Sequence, residues 1–178
     1  MNSRKISSEK LNAANSSTSL EKIKKPFWLL GDTVTFKLTG QETAGKYSVW
    51  EIKVPSQSGP PSHYHLNLEE GFYILEGEFS FQYNGKVVNA NANSFIHVQR
   101  QIVHTYKNIE NGMGRLLVIG LPAGFENFIE ELGVPIVDEK SFIPPAGSTP
   151  RDIRRIIEIS KKHGIIFVPA LENESNSR

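Results

Sequence analysis

The feature that most constrains this chain is a train of short apolar stretches broken by turn residues. Strands are expected at Phe27–Leu30, Thr33–Leu38, Tyr47–Val54, Phe72–Leu75, Glu78–Tyr83, Ser94–Val98, Val103–Asn108 and Arg115–Leu121. Asn84-Gly85 reads as a tight hairpin turn, because Asn and Gly tolerate positive φ, and Asn111-Gly112 reads as a second one. Gly31-Asp32 is expected to turn between the first two strands. Tyr47–Val54 alternates, which sets Trp50, Ile52 and Val54 on one face. Many short strands at regular spacing argue for an all-β antiparallel sandwich or barrel.

The pattern changes after Leu121. Pro122-Ala123-Gly124 breaks the run, and Phe125–Leu132 has helical spacing with Gly133 as its stop. Ser141–Ser148 is a Pro/Gly loop. Thr149-Pro150 starts a second helix, with Ile153, Ile156, Ile157 and Ser160 on one face and Gly164 at its end. Ile165–Val168 suits a short strand. The expected organisation is therefore a polar tail over 1–25, with a weak helix near Ser19–Lys25. A barrel follows over 26–121, then a helical segment packing on it over 122–170, and a frayed tail over 171–178. There is no internal repeat, so one barrel is expected.

Five histidines occur, and three of them form a pattern with one glutamate. His63 and His65 are two apart. On an extended strand they point to the same face and can grip one ion from one side. Glu70 opens the next strand, and returns to the same ion if that strand pairs with the first. His104 lies 34 residues further on, in another short strand. Three imidazoles and a carboxylate leave one or two positions open for water or substrate. The chain has no cysteine, so any metal must sit on nitrogen and oxygen. His97 fits no ligand position and reads as structural. His163 closes a helix, where a cationic ring suits the dipole.

This arrangement resembles the cupin superfamily. Its first motif is Gly, five residues, His-x-His, three or four residues, Glu, six residues, Gly. His63, His65, Glu70 and Gly77 match it, while Gln57 stands at the opening Gly. Its second motif is Gly, five residues, Pro-x-Gly, two residues, His, three residues, Asn. His104 and Asn108 match, with Asn93, Gln99 and Gln101 at the Gly, Pro and Gly positions. The resemblance spans roughly Trp28–Leu121, and the later helices look like those of the single-barrel cupins described as quercetin-dioxygenase-like. It implies a double-stranded β-helix, or jelly-roll barrel, with C-terminal helices. Spacing to Gly77 and strand alternation both select Glu70 over Glu69 as the ligand.

The resemblance also implies a function. The expectation is a metal-dependent dioxygenase for a small aromatic or enol-type substrate, with Fe(II) as the metal and Mn, Ni, Co or Zn as alternatives. Glu70 would both bind the metal and accept a substrate proton. Phe72, Ile74, Tyr106 and Gln101 are candidate pocket residues. A metal-dependent isomerase or decarboxylase on the same scaffold is the alternative, as is a non-catalytic small-molecule binder. Small cupins pair through edge strands, and Pro26–Leu30 reads as such an edge, so a homodimer is expected. The net charge of +1 gives no bulk field for nucleic acid or membrane. No stretch reaches the roughly 18 apolar residues of a membrane span. The N-terminus has charge but no apolar h-region, so a cytoplasmic location is expected.

Overall fold

The computed structural model describes residues 25–145 and 149–169. The expected tails and the helix near Ser19–Lys25 lie outside them, apart from Lys25. Among the described residues the chain forms two antiparallel sheets packed face to face. One sheet contains β1 (Phe27–Leu29), β2 (Asp32–Leu38), β3 (Ser48–Val54), β5 (Glu69–Glu76), β8 (Phe95–Val98), β10 (Gly114–Leu121) and β11 (Val134–Pro135). Its order is β11-β1-β2-β3-β10-β5-β8. The other contains β4 (His63–His65), β6 (Glu78–Tyr83), β7 (Lys86–Asn91), β9 (His104–Asn108) and β12 (Ile165–Phe167), in the order β12-β4-β9-β6-β7. Three helices complete the fold: the short α1 (Gly40–Thr43), α2 (Phe125–Leu132) and α3 (Pro150–Lys162).

Alternation builds the core. Val34 and Phe36 of β2, Trp50, Ile52 and Val54 of β3, and Phe72 and Ile74 of β5 all point between the sheets. Phe81 of β6 and Tyr106 of β9 meet Phe72 from the other sheet in edge-on ring contacts, and Phe79 packs edge-on against Tyr106 beside them. Interleaving large rings in this way fills the interior at the density that folded cores require. α2 closes one end, with Phe125 stacked on Trp50 at 4.6 Å between centroids.

Four expectations need correction. Asn84-Gly85 is a two-residue hairpin turn between β6 and β7, with both residues at positive φ. Asn111-Gly112 is not, because β9 and β10 lie in different sheets. That loop closes instead on Asn108, whose buried amide donates to the Val54 and Gly112 carbonyls. The turn between β1 and β2 is Leu30-Gly31, both at positive φ, and Asp32 already pairs with Leu29. The strand at Phe27–Leu29 is no free edge, since β2 and β11 flank it on both sides. Finally, β7 is a strand that the sequence did not announce, because Lys86–Asn91 is mostly exposed and carries little apolar alternation.

α3 begins as read, with a reciprocal cap between Thr149 and Asp152. Its Ile159 and Ser160 turn inward, while Ile153 and Ile157 stay about half exposed. Lys162 and His163 reach Glu131 at 2.8 and 2.7 Å, which ties α3 to α2. After α3, the chain re-enters the barrel as β12 and pairs with β4 over three residues.

The positions where glycine is missing from the two motifs have a common backbone. Gln57, Asn93 and Gln101 sit at φ of 61°, 73° and 62°, the left-handed region that disfavours a Cβ. The turns are therefore kept, at a cost of about 1 kcal/mol for each Gln. Gly59 is irreplaceable for a different reason: a Cβ there would lie 1.9 Å from the Tyr106 carbonyl oxygen. Gln57→Gly and Gln101→Gly are expected to hold or modestly raise the melting temperature. Gly59→Ala is expected to lower it by several degrees, since β9 must move away. Thermal unfolding followed by circular dichroism checks all three.

Candidate metal centre

The site is assembled from both sheets. β4 is extended, so His63 and His65 share its inward face, and His63 stands directly opposite His104 of β9. Glu70 does not come from a neighbouring strand, as the sequence suggested. β5 pairs with β10 and β8, so Glu70 reaches the imidazoles across the barrel interior. One ligand atom from each of the four residues lies within 4.8 Å of the others, and all four side chains are buried.

The hydrogen bonds prepare the rings. Nδ1 of His63 donates to the Pro61 carbonyl and Nδ1 of His104 to the Ile102 carbonyl, each at 2.9 Å. A carbonyl only accepts, so Nδ1 carries the proton and Nε2 is left as the donor atom toward the centre. Nε2 of His104 lies 3.0 Å from Glu70 Oε2. Nε2 of His65 lies 3.1 Å from the same oxygen, yet is buried without an aligned hydrogen-bond partner. The Gln101 backbone N–H, 2.8 Å from the His65 carbonyl, holds β4 from behind.

Electrostatics point the same way. Burial, and then the neighbouring His104 and His65, push His63 down to about 3, so its ring is neutral. Burial alone would raise the Glu70 carboxyl, but the His65 charge and the His104 hydrogen bond outweigh it and hold it well below the usual range. Burial lowers His104 while Glu70 raises it, and Glu70 wins. A carboxylate buried here needs a positive partner, either a proton on His104 or His65 or a metal ion. Three imidazole nitrogens, of which the His65 Nε2 is without a hydrogen-bond partner, and one carboxylate suit a divalent transition metal. The His104 proton shared with Glu70 would leave when the ion enters.

Beside the centre lies a cavity of about 80 Å³. Its walls are mostly apolar, from Leu29, Val34, Ile52, Phe72, Phe125 and Phe167. The four candidate ligands and Tyr106 also line it, whereas Ile74 is wholly buried away from it and Gln101 is exposed. His97 and Arg100 approach Glu69 on the outer face, at 3.5 and 3.0 Å.

A family model described as a cupin domain matches residues 50–120. The barrel is a cupin domain. A quercetin 2,3-dioxygenase from Bacillus subtilis is 30% identical over 108 residues, which is 60% of this chain and 32% of that protein. The chain thus spans about a third of that relative's length. Two solved structures share the fold. A predicted oxalate decarboxylase from Thermotoga maritima gives a TM-score of 0.52 at 23% identity, covering 57% of this chain and 94% of that one. KdgF from Halomonas sp. gives 0.51 at 11% identity, covering 57% and 89%.

The sequence reading of this cupin missed Asp32. It is 7% exposed, lines the cavity, and takes hydrogen bonds from Tyr106 (3.1 Å) and Ser58 (3.3 Å). Beside Gly31 an aspartate suits a turn. The signal that finds it is alternation: Asp32, Val34 and Phe36 share one face of β2. Burial pushes its carboxyl up to about 7, against the hydrogen bonds from Tyr106 and Ser58.

Two outcomes are expected. Glu70→Ala lowers metal affinity about 10-fold or more, while Glu69→Ala, which loses only outward ion pairs, leaves it unchanged; metal titration of the purified variants decides. Because the folded carboxyl of Asp32 is raised above its ordinary 3.8, its contribution to stability is complete below that value. It is lost as pH rises through about 7. Asp32→Asn should therefore gain on the wild type between those limits, by at most about 4 kcal/mol, in denaturant melts at pH 4 to 8.

Proposed function

We propose that this cupin is a metal-dependent dioxygenase acting on a small enol-type organic substrate. The observation that carries the reading is the buried group of three imidazoles and one carboxylate opening on an apolar cavity. The resemblance to a quercetin 2,3-dioxygenase supports the choice of reaction. His63, His65, Glu70 and His104 would hold the ion, and Fe(II), Mn, Co, Ni and Zn all suit this donor set. When bound, the metal supplies Lewis acidity toward a substrate oxygen and a meeting point for dioxygen.

The chain's own residues do the rest. Apolar walls exclude water and hold the substrate body. Glu70 is the proton acceptor at Oε2, placed where a substrate hydroxyl must arrive to reach the centre. The cavity sets a size limit. About 80 Å³ is well under the roughly 150 Å³ that accommodates benzene. A single aromatic ring requires the half-buried Leu29, Leu30 and Phe167 to move aside. For the homodimer expected from the sequence, the described residues offer the β8 edge, where Phe95 is exposed, and the β7 edge, where Val87 is exposed, as candidate seats.

The test is oxygen uptake. Metal-loaded protein with small enols or hydroxyketones should consume dioxygen in proportion to product. Glu70→Gln should slow turnover at least about 100-fold. Product without oxygen uptake would instead assign an isomerase or decarboxylase, and tight binding without product would assign a binder.

A further inference from the structure

The cavity has polar groups in two places, and the metal centre accounts for only one of them. The other is Asp32, supplied by the opposite sheet from His63, His65 and His104. Its two carboxylate oxygens are fixed separately: Oδ2 by the Tyr106 hydroxyl and Oδ1 by Ser58 Oγ. Tyr106 is itself buried, and its ring is packed against Phe72, Phe79 and Phe81. The carboxyl is thus held in place by a residue that the core immobilises. Each oxygen takes one hydrogen bond and keeps a second acceptor position. No cation is paired with Asp32 among the described residues. A buried carboxyl with spare acceptor capacity, in a cavity walled mostly by hydrocarbon apart from the metal centre, is costly to maintain for stability alone.

We propose that Asp32, clamped by Tyr106 and Ser58, is the second anchor of the substrate cavity and selects ligands bearing a hydroxyl group remote from the oxygen held at the metal centre. The substrate class is then a short, mostly apolar molecule with polar oxygen at both ends. An O–H group fits because the carboxylate accepts it directly. A ligand with a bare methyl group at that end leaves the carboxyl unpaired and desolvated, the kind of mismatch that discriminates strongly between analogues. The raised pKa of Asp32 agrees with this placement, since the group sits in surroundings that an incoming donor would relieve. The selection rests on the metal-site reading above, because one end of the ligand is anchored there.

The experiment uses the nickel-loaded full chain with a matched pair of short probes, butyrate and 4-hydroxybutyrate, which enter by the same movement of Leu29, Leu30 and Phe167 that a single ring requires. Their shared carboxylate serves the metal, and only one carries the remote hydroxyl. Calorimetric titration of wild type should show 4-hydroxybutyrate bound at least about 5-fold tighter than butyrate. In Asp32→Leu and Asp32→Asn the ratio should fall below about 2-fold, with nickel content unchanged and butyrate bound at least as tightly as by wild type. Asp32→Asn keeps the shape and guards against a folding defect in Asp32→Leu. Equal binding of the two probes by wild type, or a preference that survives in both variants, overturns the proposal while the metal site stands. Failure of wild type to take up nickel overturns the metal reading and the proposal with it.

Discussion

One carboxylate crossing the barrel holds the functional argument together. Glu70 starts from the sheet that does not carry the histidines, and its Oε2 sits about equally near Nε2 of His65 and of His104. In so dry a place a negative charge is tolerable only with a positive partner. The partner is a proton shared with an imidazole or a metal ion, and the two compete for the same atoms. Everything around the site serves this contact. β4 aligns His63 and His65, backbone carbonyls fix the tautomers of His63 and His104, and the Gln101 backbone N–H pins β4 at the His65 carbonyl.

The sheets do more than deliver ligands. Because the four groups come from three strands in two layers, the geometry of the centre depends on the separation of the sheets, which the aromatic core sets. Phe72 links the two functions: its ring contacts Tyr106 and Phe81 in the core and also approaches His104. A change in core volume is therefore felt at the site, since close-packed interiors transmit strain.

Much of this was legible in the residues. The spacing of His63, His65, Glu70 and His104 identified the group that the fold brings together, and alternation chose Glu70 over its neighbour. Trp50, Ile52 and Val54 were placed on one inward face. What was not legible depended on pairing between distant strands. Nothing local says that β5 joins β10 and not β4, or that Val134–Pro135 comes back to flank β1. Asp32 was missed because an aspartate beside a glycine suits a turn as well as a strand start. The substituted motif positions show the converse. Gln57, Asn93 and Gln101 look like departures in the sequence, yet the backbone keeps the turn that glycine would have taken.

The pairing of β12 with β4 has a consequence for the order of assembly. Ile165–Phe167 lies about 100 residues beyond the histidine strand that it flanks. At the usual pace of about 5–20 residues per second, a ribosome needs roughly 5–20 s to cover that distance. Throughout that interval the histidine strand is without its outer neighbour. For about the last 60 residues of that stretch, once His104 has been made, the nascent chain has all four candidate ligands, but one side of β4 still presents bare amides and carbonyls. Those groups can pair with another extended chain until the last strand arrives. Synthesis speed and local crowding on the polysome thus enter the making of this centre alongside metal supply.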